Sequence, residues 1–125
     1  MSTILVVDDS RSARMIFVRC LKIAGYAQAE FIEAGDGQEA LDRIADRCDV
    51  ELAIIDLNMP TMDGLSLIVA LRAMETQKGL GIIVASSLIN EATRLRLEEA
   101  GVDAVIEKPI APAALVEALT RMGRR

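Results

Sequence analysis

Five short apolar runs recur along the chain, at residues 3–7, 28–33, 52–55, 81–85 and 104–106. Several are β-branched and nearly continuous instead of alternating, the pattern of strands in a parallel sheet covered on both faces. The segments between them have a helical period. The first predicted helix covers residues 12–24, with Ala13, Ile16, Phe17, Cys20, Leu21 and Ala24 at i, i+3, i+4 spacing and Gly25 as its stop. A second follows Asp36, which stands at capping-box spacing from Glu39, and has Ala40, Leu41 and Ile44 as its stripe. A third opens at Asp63 and Gly64 with Leu65, Leu67, Ile68 and Leu71. A fourth follows Asn90 as N-cap, through Leu95 and Leu97 to Gly101. Pro112 suits the first turn of a fifth, with Leu115, Val116, Leu119 and Met122 facing inward. Strand and helix alternate five times, which predicts an α/β fold with a parallel sheet and right-handed crossovers.

At 125 residues the chain is expected to form one domain, spanning 1–125, and its 52% apolar content predicts a packed core. Composition matters most through what is missing. There is no histidine and no tryptophan, and the aromatics are Phe17, Tyr26 and Phe31 alone. That excludes a serine or cysteine nucleophile paired with an imidazole base, and an imidazole zinc site. Three scattered aromatics also make a poor stacking surface for single-stranded nucleic acid. A net charge of −5 argues against a phosphate backbone as partner. The N-terminal apolar run stops at two aspartates, so neither a signal peptide nor a membrane span is expected, and the protein reads as cytoplasmic. Cys20 and Cys48 lack CxxC spacing and read as thiols in packing roles.

In open parallel sheets, ligands bind beyond the carboxyl ends of the strands. At those ends stand Asp8 and Asp9 after the first strand, Asp56 after the third, Ser86 and Ser87 after the fourth, and Lys108 with Pro109 after the fifth. Any one of these residues is ordinary turn or cap chemistry. Capping does not account for three carboxylates, a hydroxyl and an ammonium on one edge. Clustered carboxylates repel one another and imply a cation, and all-oxygen ligation with few protein ligands suits Mg²⁺. The three aspartates and Lys108 carry a formal −2, which a divalent cation cancels, so the loaded site accepts phosphate. An ionised carboxylate is itself a nucleophile for phosphoryl groups and needs no histidine base. Asp56 stands alone on its strand and is the better nucleophile, whereas Asp8 and Asp9 read as the metal-holding pair. Lys108 and Ser86 contact the phosphoryl oxygens.

With these residues the chain resembles a response-regulator receiver domain of the two-component phosphorelay family, of the single-domain chemotaxis-regulator kind. The resemblance rests on Asp8-Asp9, on the D-x-x-M-P-x-M-D-G stretch from Asp56 to Gly64, on Ser86 and on Lys108-Pro109. It implies a flavodoxin-like (βα)₅ fold with strand order 2-1-3-4-5, and phosphorylation of Asp56. It also implies Mg²⁺ held by Asp9, Asp56 and the backbone carbonyl of Asn58, with Asp8 acting through water. The implied donor is a sensor histidine kinase or a histidine phosphotransfer protein. The implied output is a downstream protein docking on the face of the fourth helix, fifth strand and fifth helix, with no direct nucleic acid or membrane partner.

Two features are particular to this chain. Many family members carry Tyr or Phe three residues before the lysine, where this chain has Val105, so the response is expected to run through residues 86–90 and the fourth helix. Leu88 falls at a position that affects dephosphorylation in the family. On the first helix, Arg11, Met15, Val18 and Lys22 form a second stripe, read as a docking surface for the histidine-bearing partner. From other classes, a Mg²⁺-dependent phosphohydrolase with an aspartyl nucleophile lacks its D-x-D motif and cap domain here. An interaction module that is never phosphorylated would not require the intact set Asp8, Asp9, Asp56, Ser86 and Lys108.

Overall fold

A computed structural model describes residues 2–59, 62–77, 79–87 and 89–123. Along the chain run β1 (Thr3–Val7), α1 (Arg11–Leu21), β2 (Glu30–Ala34), α2 (Gly37–Ile44), β3 (Val50–Asp56), α3 (Gly64–Ala73), β4 (Gly81–Ser86), α4 (Glu91–Glu99), β5 (Ala104–Glu107) and α5 (Pro112–Arg121). The strands form one parallel sheet in the order β2-β1-β3-β4-β5, the flavodoxin-like order expected above.

Alternation along each strand divides the core into two layers. Ile4, Val6, Leu52 and Ile54 face one side, where they pack with Phe17 and Leu21 of α1 and Leu115 and Leu119 of α5. Leu5, Val7, Ala53 and Ile55 face the other, against Ile44 of α2, Ile68 and Leu71 of α3 and Leu97 of α4. Both faces being covered is why the strands read as continuous apolar runs. Each of the first four helices is capped by the side chain that precedes it: Ser10, Asp36, Asp63 and Asn90 accept the backbone N–H of Ala13, Glu39, Ser66 and Thr93.

Several boundaries and faces differ from the sequence expectation. The first α-helix ends at Leu21, and a wider π-helical turn, Lys22–Tyr26, continues it to Gly25 at φ 124°, a conformation that glycine adopts without cost. β2 begins two residues later than expected. Ile16 is 51% exposed and Leu95 49% exposed, so neither belongs to the core. Leu95 and Leu97 lie about 200° apart on a helix, and only one of them faces the sheet. Val18, expected on the outer stripe of α1, is half-buried beside the α1/α5 layer, because it lies one turn from buried Leu21. None of the described helices is long and apolar enough to cross a membrane.

Candidate functional site

β1 is flanked by β2 on one side and β3 on the other, so the direction of winding reverses between β1 and β3. The crevice at their carboxyl ends is where such sheets bind ligands. Asp8 immediately follows β1, and its backbone N–H is held by the carbonyl of Ala34 at 3.1 Å. Asp56 is the last residue of β3 and Ser86 the last of β4. Both lie within their strands, which end one position later than the sequence suggested, because pairing continues through Asp56 opposite Ala85 and Ser86 opposite Glu107. Lys108 follows β5, with its backbone N–H on the Ser86 carbonyl at 2.8 Å, and the Lys108–Pro109 peptide is cis. Four strands thus deliver their ends to one crevice.

The carboxylates of Asp8, Asp9 and Asp56 each place an oxygen within 4.8 Å of the others. Asp8 is 1% and Asp56 6% exposed, while Asp9 is open to solvent. The Lys108 ammonium donates to Asp8 Oδ2 at 2.7 Å and lies 3.3 Å from Asp56 Oδ1. Asp8 Oδ1 accepts the backbone N–H of Ser10 at 2.9 Å. Burial, and then the neighbouring charge of Asp8, push the Asp56 carboxyl above its usual range despite the attraction of Lys108. For Lys108, burial works against the charge, but the hydrogen bond to Asp8 and the field of Asp56 outweigh it and raise the ammonium above its ordinary value. An acidic cluster with one ammonium, still crowded enough to disfavour ionisation of Asp56, has room for a further cation. Its oxygens are hard donors gathered within 4.8 Å of one another, the ligand chemistry that a small hard ion such as Mg²⁺ selects. The donor set therefore fits this ion.

Asn58 lies in the exposed turn after β3. Pro60 and Thr61 of the same motif, and Leu88 beyond β4, lie outside the described residues. Asp63 spends its carboxylate on capping α3. Val105 is half-buried on the α4 side of the sheet, with Leu97 and Val102 in the same layer.

Three supporting residues escape a sequence reading. Arg14 donates through Nη1 to the Asp8 carbonyl at 2.7 Å and through Nε to Glu33 at 3.0 Å, tying α1 to β1 and β2 at the site. The Phe17 ring lies beneath the Lys108 ammonium, 5.6 Å from centroid to nitrogen. Gly64, the first residue of α3, donates its N–H to the Leu57 carbonyl at 2.9 Å, and a methyl group there would sit 2.5 Å from the Asp56 carbonyl oxygen. Only the D-G ending of the motif hinted at this close approach. Nothing local in the sequence marks Arg14 or Phe17.

The response regulator receiver domain profile matches residues 4–120. The chemotaxis protein CheY1 of Helicobacter pylori is 36% identical over 116 residues, covering 93% of this chain and 92% of that protein. The transcriptional regulatory protein PrrA of Mycobacterium tuberculosis is 35% identical over 98% of this chain, which spans 50% of PrrA. Among solved structures, the chemotaxis response regulator CheY4 of Vibrio cholerae superposes with a TM-score of 0.83 at 30% identity, covering 97% of this chain and 98% of that one.

Proposed function

We propose, on the footing that the chain belongs to the response regulator receiver domain family, that it accepts a phosphoryl group from a phosphohistidine partner onto Asp56. The observation that carries this reading is the arrangement of Lys108, 2.7 Å from Asp8 and 3.3 Å from Asp56, beside three carboxylates whose oxygens lie within 4.8 Å. An Asp56 carboxylate oxygen attacks phosphorus, and the phosphorus–nitrogen bond of the donor imidazole breaks. The bonding pair stays on the ring nitrogen, which takes up a proton from water, and an acyl phosphate is left on Asp56. Lys108 donates to a phosphoryl oxygen, and the Ser86 hydroxyl donates to another. Asp9, Asp56 and the Asn58 carbonyl would hold Mg²⁺, with Asp8 acting through water. The ion supplies positive charge against which phosphoryl oxygens are stabilised.

The chain acts on itself and turns over no metabolite; it performs this in the cytoplasm as one domain over 1–125, and passes the signal to a protein docking on α4, β5 and α5. The donor is a sensor histidine kinase or a histidine phosphotransfer protein. α1 offers it Arg11 and Arg19 with no acidic residue, and the exposed side chains of Met15 and Ile16. Changing Met15 and Ile16 together to Ser is expected to slow transfer from a phosphotransfer protein roughly tenfold. Acetyl phosphate should serve both proteins equally, and an equal slowing with both donors would count against docking on this face.

The central reaction is tested with acetyl phosphate or phosphoramidate, with and without Mg²⁺, followed by intact mass. A Mg²⁺-dependent gain of one phosphoryl, absent in Asp56→Ala, is the expected result. Incorporation that ignores Mg²⁺, or survives in Asp56→Ala, would contradict it.

A further inference from the structure

We infer that Phe17 is a positioning residue for Lys108: its ring forms the third wall of the cradle that holds the ammonium at the reaction site. This rests on the proposed role of Asp56 and deepens it by naming what keeps Lys108 in place.

Phe17 stands on the inner face of α1, 1% exposed, among Cys20, Leu21, Ile110 and Leu115. For filling this layer, a leucine would serve as well, as it does at positions 21, 115 and 119. An aromatic ring differs in one respect that matters here: its face is electron-rich and attracts a cation. The Lys108 nitrogen lies over that face at 5.6 Å from the centroid, within the range at which the attraction operates. The lysine side chain is 24% exposed, so the ammonium is partly desolvated, which strengthens the interaction.

The other two walls are Asp8 at 2.7 Å and Asp56 at 3.3 Å. The closer of them, Asp8, draws the ammonium away from the acceptor. A third carboxylate in place of the ring would bind the ammonium more strongly and compete with an incoming phosphoryl group. A neutral ring restrains the ammonium without adding a competing anion. It is also rigid, with two side-chain torsions, and is fixed by the core around it. Phe17 therefore acts through Lys108 and does not itself touch the phosphoryl group. The chain has two phenylalanines in all, and one of them lies under the site lysine.

The test is a double-mutant comparison with a structural readout independent of phosphorylation. Phe17→Leu keeps an apolar side chain in the layer, and Phe17→Tyr keeps the ring. With acetyl phosphate and Mg²⁺, Phe17→Leu is expected to slow phosphorylation roughly three- to tenfold, and Phe17→Tyr to stay within about twofold of wild type. In a Lys108→Ala background the Phe17→Leu effect should vanish, because the pair no longer exists. Independently, the Lys108 Hε protons should show an upfield ring-current shift in wild type and in Phe17→Tyr that is lost in Phe17→Leu. The wild-type shift is measurable even if a variant fails to fold. Absence of that shift in wild type, or a Phe17→Leu slowing of equal size with and without Lys108, would overturn the inference. Failure of wild type to take up phosphate at all, with the ring-current shift present, would instead overturn the proposed role of Asp56.

Discussion

Asp56→Asn is expected to melt higher than wild type at pH 7 in metal-free buffer. The carboxylate is 6% exposed and faces Asp8, and burial and that charge together raise its carboxyl above the usual range. A carboxyl raised in the folded state binds its proton more tightly there than in the unfolded chain. Stability therefore falls as pH climbs from the ordinary value of 3.8 through the native one, and the full cost is present above the native value. Asparagine keeps the shape and an oxygen for Lys108 but removes the charge. The gain is on the order of 1 kcal/mol, or roughly 4 °C in a domain of this size. Lys108 behaves oppositely. Its raised ammonium contributes stability below its ordinary 10.5 that is lost as pH rises through the native value, and Asp56→Asn, lacking one anionic partner, should lose less there. Adding Mg²⁺ should raise the melting temperature of wild type by mass action and that of the Asn variant much less. Thermal melts from about pH 4 to 12, with and without MgCl₂, check this. A variant that melts below wild type and responds to Mg²⁺ equally would contradict it.

Gly64→Ala should have the opposite effect on stability and should slow phosphorylation without abolishing it. The added methyl would lie 2.5 Å from the Asp56 carbonyl oxygen and 2.8 Å from the Leu57 Cα. Both obstacles are backbone, so no side chain can swing aside. Either the first turn of α3 withdraws, breaking the Gly64 N–H bond to the Leu57 carbonyl, or the end of β3 shifts and carries Asp56 with it. Overpacking of this kind costs about 2 kcal/mol, reduced by up to about 1 kcal/mol because Ala suits a helix better than Gly. A displacement of the acceptor by a fraction of an ångström should slow phosphorylation by about 10- to 100-fold. Melting temperature and acetyl phosphate kinetics measure the two effects separately. A Gly64→Ala protein with wild-type values of both would show that the β3–α3 junction is more compliant than its geometry implies.

The sheet was legible because its three central strands, β1, β3 and β4, are buried on both faces, leaving uninterrupted runs such as residues 52–55 that no surface helix produces. The site residues were legible for a related reason, since a parallel sheet brings every strand end to one edge and position in sequence then implies position in space. What escaped depends on neighbours distant in sequence. Ile16 fits the apolar period of α1 as well as Phe17 does. Yet α5 packs on α1 and on Lys22–Tyr26 without covering Ile16. Of Leu95 and Leu97, two residues apart on α4, helix geometry lets only one face the sheet, and which one is decided by packing on the sheet and not by the local sequence. Arg14 reads as a surface charge until the Asp8 carbonyl and Glu33 are brought beside it by β1–β2 pairing. Phe17 reads as core, and is core. Its relation to Lys108 spans 91 positions and depends on β5 ending above α1.

On the proposed mechanism Asp56 carries the phosphoryl group, and chemical trapping locates it. After incubation with acetyl phosphate and Mg²⁺, borohydride reduction converts an aspartyl phosphate to homoserine, and peptide mass spectrometry reads the position. Homoserine at position 56, dependent on Mg²⁺ and on phosphodonor, is the predicted result. Homoserine at position 8, 9 or 63, or none at any aspartate in protein that has gained a phosphoryl group, would contradict it.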